Sequence, residues 1–370
     1  MKKIQASMPQ ALLRGLGGIL CFVLISFAVF GSFFFLPANI HYHVTEKFIF
    51  SGNAADTPVS LGLMLPKSGP YQVVENIESL WSGSQQVENY DFVDILKLSG
   101  VTNSDGNLEA IIEYDIKLPK KKLSWIAPVE RFQRLPQVGI ESESECIQKK
   151  AVEIGSDVSG KGAYEIYSFV IDYLTYAQKE VDCTGLSAVK AFEIGECVCA
   201  GYARLMTALC RASGIPAQMM LGLVYPDPMF RSHASSFPHN PEEAHAWVEY
   251  YSEGSWKMAD PTWGASYLKF MQFDRNDGRH LVYGELEQIL AIDAEMEKWA
   301  LEQAEFPLGE DATFRYFATS DSKQVLFTPV VEIQRKWDGR WLNTLVVCGI
   351  VTWILCKYRE KIFGSLKNES

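Results

Sequence analysis

The chain has 370 residues and a formal net charge of −11, and 48% of its residues are hydrophobic. This apolar content is enough for a hydrophobic core and excludes an intrinsically disordered chain. The length allows one large domain or two ordinary ones, and the negative charge, without a dense basic stripe, argues against nucleic acid as the main partner.

Two uncharged apolar runs lie near the ends of the chain. Residues 15–36 (GLGGILCFVLISFAVFGSFFFL) are long enough to cross a bilayer as a helix, whereas residues 341–356 are shorter and would cross only marginally. Lysine and arginine lie on the terminal side of both runs, which predicts cytoplasmic termini and an extracytoplasmic middle. A cleaved signal peptide is the alternative for the first run, although no convincing small-x-small cleavage site follows it.

The predicted organisation has five parts. Residues 1–37 are the cytoplasmic N-terminus with a transmembrane helix, 38–135 a β-rich domain, and 136–340 a second domain. Residues 341–356 are the second transmembrane helix, and 357–370 are a cytoplasmic basic tail. The chain is thus predicted to cross the cell membrane twice, with its main part on the periplasmic or extracellular side. Three basic residues on the supposed outer side of the second run count against this orientation: Arg335, Lys336 and Arg340.

The region after the first run is predicted to be all-β. Its clearest strand covers residues 108–118, where apolar residues alternate with mostly polar neighbours. Residues 41–50 and 59–65 are further predicted strands, and short strands of this kind favour a small β-sandwich. Residues 120–136, with prolines and basic clusters, are predicted to be a linker.

The second domain is predicted to mix helices and strands. Apolar residues keep helical spacing from Ala163 to Leu174, and residues 285–306 show a longer helical pattern. Residues 217–224 are predicted to be an apolar strand and residues 324–333 a late strand. These elements predict an α+β domain.

A predicted helix begins near Cys199. In residues 199–214 (CAGYARLMTALCRASG), apolar side chains recur at i, i+3, i+4 and i+7, and Gly214 followed by Pro216 ends the helix. The unpaired N–H groups and the dipole at a helix start favour an anion, so a thiol there is more readily a thiolate. A single cysteine is more often a small buried apolar residue, so this position alone does not decide its role.

A predicted β-hairpin places a base beside a carboxylate. It covers residues 245–260 (HAWVEYYSEGSWKMAD) and turns within residues 252–254. Either of two possible two-residue loops puts His245 and Asp260 on one face, directly opposite or diagonal to each other. A three-residue loop would put them on opposite faces.

Cysteine, histidine and aspartate are the residue types of thiol-based acyl transfer. A carboxylate beside a histidine fixes its tautomer and stabilises the imidazolium. A histidine beside a cysteine generates the thiolate and later protonates the leaving group. The alternative is that Asp260 only pins a structural histidine in the hairpin, and the spacing alone leaves both interpretations open.

These segments resemble the core of the transglutaminase-like superfamily. The similar strings are VCAGYARL from Val198, CRASGIPA from Cys210, HAWVE from His245 and WKMADPTW from Trp256, within about residues 151–264. The resemblance implies a papain-like α+β fold, in which a helix bearing the cysteine packs on an antiparallel sheet bearing the histidine and aspartate. A β-rich domain before the core is also similar to bacterial members.

The triad that the resemblance implies is Cys199, His245 and Asp260, acting through a thioester intermediate without a cofactor or a metal. The family usually has glycine where this chain has Cys197, so a CxC pair occurs. Cys199 is assigned as the nucleophile because Ala-Gly-Tyr-Ala follows it, as in the family motif. A further hypothesis is that Cys197 forms a reversible bond that masks Cys199.

Other residues near these motifs are weaker candidates. His233 and His239 could gate a cleft, but exposed loop histidines are the simpler interpretation. Residues 274–280 (DRNDGRH) fail the order of an EF-hand calcium loop and are predicted to be a turn. Three tryptophans could line an acyl-binding cleft, although aromatics beside a hairpin are usually core: Trp247, Trp256 and Trp263.

The sequence therefore predicts a membrane-anchored, extracytoplasmic cysteine enzyme. It would attack an amide or peptide bond and pass the acyl group to water or to an amine. We expect a protein or peptide substrate, for which the cell envelope is one source, and the lipid bilayer as the other partner. The competing prediction is a catalytically silent scaffold or peptide-binding module at the membrane.

Overall fold

The computed structural model describes most of the chain between residues 39 and 364. The described residues are 25–26, 39–52, 55–69, 72–90, 93–118, 129, 131–155, 160–177, 187–225, 245–266, 269–274, 278–308 and 315–364. The chain divides into two compact units, one covering His41–Arg335 and the other combining Met1–Ile40 with Lys336–Ser370.

The strands and helices follow one another in mixed order. The strands are β1 (Ile40–Ser51), β2 (Pro58–Pro66), β3 (Val73–Leu80), β4 (Ser84–Asn89), β5 (Val93–Val101), β6 (Leu108–Leu118), β7 (Thr175–Tyr176), β8 (Glu196–Cys197), β9 (Ala217–Val224), β10 (His245–Ser252), β11 (Ser255–Ala259), β12 (His280–Glu285), β13 (Phe306–Leu308), β14 (Tyr316–Ser320) and β15 (Leu326–Asp338). The helices are α1 (Glu145–Ile154), α2 (Gly160–Tyr173), α3 (Ala188–Ile194), α4 (Cys199–Ala212), α5 (Pro261–Ser266), α6 (Leu286–Gln303) and α7 (Gly339–Gly364), with short 3₁₀ turns at Arg131–Arg134 and Lys269–Met271.

Two sheets make up the β-rich region. Their strand orders are β15-β1-β6-β3 and β13-β14-β2-β5-β4. Along β6, buried and more exposed residues alternate, as its period-two pattern predicts. Because β13, β14 and β15 come from the end of the chain, the region is built from segments on both sides of the core in sequence.

The core consists of one helix packed on one sheet. The sheet has the order β11-β10-β9-β12, and α4 packs against β9 and β10. Strand β9 (AQMMLGLV) is buried along almost its whole length, because strands flank it on both sides and α4 covers it. The predicted α+β class, with a β-rich region before this core, is confirmed.

The elements with clear periodicity were the predictable ones. The three predicted helices overlap α2, α4 and α6, and the predicted strands overlap β1, β2, β6, β9, the hairpin strands β10 and β11, and β15. Strands β3 and β4 were not predicted, because both are largely exposed and lack an alternating apolar pattern. Most of the predicted linker lies outside the described residues, as do His233 and His239.

The two apolar runs are described to different extents. The first run lies outside the described residues, apart from residues 25–26. The second run is part of α7. Among the described residues, none of the helices is both long enough and apolar enough to span a membrane. The two predicted spans therefore remain predictions.

A buried polar cluster connects the three large sheets. Glu46 of β1 forms an ion pair with Arg315, which directly precedes β14, and both side chains are fully buried. Glu46 Oε1 also accepts hydrogen bonds from the hydroxyls of Tyr114 on β6, at 2.6 Å, and Tyr283 on β12, at 3.1 Å. The cluster thus joins the core sheet to both sheets of the β-rich region.

Strand β12 has two further attachments to the β-rich region. The side-chain amide of Gln72 donates to the carbonyl of Val282 at 2.7 Å and accepts from its N–H group at 2.9 Å. The Tyr42 hydroxyl donates to the carbonyl of Gly278, two residues before the strand, at 2.6 Å. These bonds fix the start and the middle of β12.

Candidate active site

Cys199 is the first residue of α4 and is half-buried. The preceding residue, Val198, has an extended backbone and makes no side-chain hydrogen bond to the first turn, because valine has no polar atom with which to cap it. No capping side chain at this position therefore offsets the positive end of the helix dipole next to Cys199. A thiolate here would be stabilised by that dipole.

Cys197 has a different environment. It lies in β8 and is fully buried, and neither Cys197 nor Cys199 forms a disulfide. Its side chain packs under the first turn of α4, where a β-carbon at Gly201 would lie 2.5 Å from Cys197 Sγ. The exposure favours Cys199 as the thiol that a substrate reaches and Cys197 as a packing residue. The hypothesis of a reversible bond between them remains a prediction.

The hairpin of β10 and β11 has a two-residue turn at Glu253-Gly254. The pairing ends at Ser252 opposite Ser255. Both turn residues have positive φ, 54° and 79°, as a type I′ turn requires. This is one of the two registers that the sequence allows, and the three-residue alternative is wrong.

His245 begins β10, and Asp260 directly follows β11. His245 Nε2 lies 2.9 Å from Asp260 Oδ2, and their side chains are 7% and 0% exposed. Asp260 Oδ1 accepts hydrogen bonds from the backbone N–H groups of Thr262 and Trp263, each at 3.0 Å. Asp260 is thus also the N-cap of α5, with Pro261 at the first helical position, and the helix start fixes its carboxylate.

Burial and mutual attraction set the charges of this pair. Burial alone would raise the pKa of Asp260, but the charge and hydrogen bond of His245, with a further hydrogen bond from His280, lower it below its usual range. Burial would lower the pKa of His245, but Asp260 and then Cys199 raise it to about 10. Asp260 occupies Nε2 of the imidazole, so Nδ1 is the nitrogen left for the hydrogen bond to Cys199.

Two of the three tryptophans surround the imidazole. Trp263 stacks on His245 with ring centroids 5.2 Å apart, and the Trp247 ring is 6.2 Å away. On Trp263, the guanidinium of Arg279 lies 3.9 Å from the ring centroid. Trp256 instead contacts Tyr251, near the turn of the hairpin. The rings therefore hold the imidazole in place as well as contributing to the core.

His280 is a site residue that the sequence did not reveal. Residues 274–280 were predicted to be a turn, which is wrong for His280, because it begins β12. Its Nε2 lies 3.2 Å from Asp260 Oδ2, the same oxygen that His245 contacts. Only the pairing of β12 with β9, next to β10, brings His280 to this position, so no local motif could have identified it.

The three residues that meet at Asp260 also form a possible set of metal ligands. One ligand atom each from His245, Asp260 and His280 lies within 4.8 Å of the others, and all three side chains are buried. Nitrogen and oxygen ligands of this kind would suit zinc. The hydrogen bonds from both imidazoles to one carboxylate oxygen account for the cluster without an ion.

Comparison with known proteins identifies a domain that includes Cys199, His245 and Asp260. Residues 148–261 match the family model of the transglutaminase-like superfamily. A protein from Cytophaga hutchinsonii, provisionally assigned as a cysteine protease, has a similar structure with a TM-score of 0.51 and 14% identity, covering 81% of this chain and 91% of its own. Because the identity is low, this similarity shows the fold alone.

A second similar structure is the periplasmic domain of TgpA from Pseudomonas aeruginosa, bound to ethylmercury. The TM-score is 0.30 and the identity 17%, over 67% of this chain and 97% of that domain.

No curated protein matches the chain. The family match covers α4, the hairpin and Asp260, the segments on which the sequence resemblance rests. Residues 148–261 are therefore a transglutaminase-like domain.

Proposed function

We propose that this chain is a cysteine enzyme that acts on amide or peptide bonds, with Cys199 as nucleophile, His245 as base and acid, and Asp260 as the group that orients His245. The observation that supports this most is the buried hydrogen bond between His245 and Asp260, together with the proximity of Cys199, which helps to raise the pKa of His245. An imidazolium beside a thiol favours the thiolate, which is the nucleophilic form.

The proposed reaction has two stages. The sulfur of Cys199 attacks the carbonyl carbon, and the C–N bond breaks as the imidazolium of His245 gives its proton to the departing amine. In the resulting thioester, water or another amine attacks the same carbon while His245 accepts its proton, and the C–S bond breaks to release the thiolate. We assign the backbone N–H of Cys199, at the start of α4, as a donor to the oxyanion of both intermediates.

A protein or peptide is the proposed substrate, and hydrolysis and amine transfer share these steps. The test uses purified protein, glutamine-containing peptides with a primary amine, and mass spectrometry of the products. Conversion of glutamine to glutamate, or a shorter peptide, would indicate hydrolysis, whereas an amine adduct would indicate transfer. Cys199→Ala should abolish either product, and Cys197→Ala should not.

Thiol reactivity separates an enzyme from a silent scaffold. Cys146 is a matched reference, because it is free and half-buried like Cys199. If the proposal is right, iodoacetamide will alkylate Cys199 much faster than Cys146 at neutral pH, as judged by peptide mapping. Equal rates would show that the thiol is not activated and would favour a binding module.

The proposed location is the cell membrane, with the transglutaminase-like domain on the extracytoplasmic side. The support comes from the sequence, in which the uncharged run at residues 15–36 has basic residues on its terminal side. The test is fractionation of cells that express the full chain, with a topology reporter fused after Ser370. A reporter that is active only outside the cytoplasm would contradict the two-pass orientation.

A further inference from the structure

Two histidines share one oxygen of Asp260. His245 Nε2 lies 2.9 Å and His280 Nε2 lies 3.2 Å from Oδ2, while Oδ1 accepts two backbone N–H groups of α5. An ionised carboxylate has about four acceptor positions, so these four donors nearly fill it. His280 supplies one of the two donors on the oxygen that faces the imidazole of His245.

The shared oxygen determines which nitrogens carry protons. An ionised carboxylate only accepts, so both histidines must present a protonated Nε2 to Asp260. For His245, this leaves Nδ1 as the nitrogen that exchanges a proton with the thiol of Cys199. His280 binds the same carboxylate oxygen as His245, so it can act on the thiol through Asp260.

Aromatic rings and the strand hold His280 in place. Its ring centroid lies 4.8 Å from that of Trp247 and 4.9 Å from that of Trp263. Its backbone is paired with Val224 of β9. Gln72 fixes β12 two residues further along, at Val282. His280 therefore presents a fixed donor to Asp260, and the β-rich region helps to position it.

We infer that His280 is a positioning residue, which holds the carboxylate of Asp260 in the plane that aligns His245 with Cys199. This inference rests on the proposed function, since it concerns the same three residues. Without His280, Oδ2 would have a single donor, and the carboxylate could rotate about the two backbone bonds that hold Oδ1. The imidazole would turn with it, and Nδ1 would leave the line to the sulfur.

The experiment compares two replacements of nearly equal length. In His280→Gln, the amide nitrogen can occupy the place of Nε2 and donate to Asp260, whereas His280→Met fills the space without a donor. The readout is the second-order rate of Cys199 alkylation by iodoacetamide, measured from about pH 5 to about pH 10 by peptide mapping. Thermal unfolding of each variant measures the effect on stability.

For His280→Met, we expect the alkylation rate at neutral pH to fall by about tenfold, since small misalignments cost rates of this order. Its pH profile of alkylation should also differ from that of the wild type. His280→Gln should keep the wild-type profile and a rate within about threefold of the wild type. If His280→Met does not fold, His280→Asn replaces it, because the shorter amide does not reach Oδ2.

His43 provides a matched control. Its Nδ1 lies 2.9 Å from Asp115 Oδ1, so it also forms a histidine–aspartate pair, but on strands β1 and β6. His43→Met should leave the pH profile of Cys199 alkylation unchanged. The inference would be overturned if His280→Gln and His280→Met lowered the Cys199 alkylation rate equally, or if neither lowered it. If wild-type Cys199 itself reacts no faster than Cys146, the proposed function fails instead.

Discussion

Asp260 is the residue on which the candidate site depends most, because its two oxygens bind both histidines and the start of α5. In Asp260→Asn, the remaining oxygen can still cap α5, but the amide nitrogen cannot accept a hydrogen bond from His245 Nε2. His245 must then carry its proton on Nδ1, facing the thiol that it should deprotonate. We expect Cys199 alkylation and peptide turnover to fall by about 10²- to 10⁴-fold.

The measurement for Asp260→Asn is the same alkylation assay, with far-UV circular dichroism to show that the variant is folded. Asp172→Asn is a suitable control, since Asp172 is an exposed carboxylate on α2 that pairs with Lys269. Wild-type rates in a folded Asp260→Asn variant would mean that Asp260 only pins a structural histidine.

The pKa of His245 predicts a loss of stability at alkaline pH. Folding raises this pKa from an ordinary 6.5 to about 10. The stabilising contribution is therefore complete below pH 6.5 and is lost as the pH rises through about 10. We expect the free energy of unfolding to fall by a few kcal/mol over this interval. Urea titrations at a series of pH values measure the change, and Asp260→Asn should flatten it. If the free energy of unfolding fell equally with pH in the wild type and in Asp260→Asn, the assignment to His245 would be contradicted.

Among the individual site residues, those that could be predicted from the sequence are the ones whose contacts depend on nearby sequence. His245 and Asp260 share one hairpin, so either two-residue turn places them on one face. Cys199 was assigned from a predicted helix start together with the family motif that follows it. His280 was not, because its proximity to Asp260 depends on the order of strands in a sheet, which local periodicity does not encode.

The packing of β8 against α4 leads to a prediction at the scale of elements. A β-carbon at Gly201 would lie 2.5 Å from Sγ and 2.6 Å from Cβ of Cys197. Gly201→Ala should therefore destabilise the protein by about 1–3 kcal/mol through overpacking, as measured by urea unfolding. Cys197→Gly, which introduces the residue usual in the family, should restore much of the loss when combined with it. Additive effects of the two substitutions would contradict a direct contact.

The predictability of an element follows from how completely one of its faces is buried. Strand β6 alternates between buried and more exposed residues, so its bounds could be predicted to the residue. Strand β3 is mostly exposed, so its sequence, VVENIESL, has no such alternation. Helix α5 was missed for another reason. The predicted hairpin ends at Asp260 and no helix is predicted after it, although an aspartate before a proline is a helix N-cap signal.

For the whole molecule, the buried cluster around Glu46 is the feature with the largest expected effect on stability. In Glu46→Gln, the hydrogen bonds from the two tyrosines can persist, but the charge of Arg315 loses its partner in a fully buried site. Breaking a buried ion pair in this way costs about 3–5 kcal/mol. The measurement is the urea midpoint, with Glu193→Gln as control, since Glu193 pairs with Lys190 at the surface. Equal midpoints for the two variants would contradict the prediction.

The arrangement of the sheets could not have been predicted from the sequence. Residues 324–333 were correctly expected to be a strand, but nothing in their composition indicates that β15 pairs beside β1, or that β14 pairs with β2. Such pairings are long-range. The apolar pattern of a strand indicates which of its faces is buried, but it does not indicate which strand pairs with it.

The ion pair between Glu46 and Arg315 joins residues 269 positions apart. A growing polypeptide on the ribosome has made Cys199 and His245 well before it has made Arg315, so the two halves of this pair cannot meet until the chain has been made through Arg315. Contacts over such separations also form slowly. The strand that carries His280 is held by the same cluster, so the nascent chain should not carry an aligned, reactive thiol. Cys199 would become fully reactive only after translation has passed the last sheet strands.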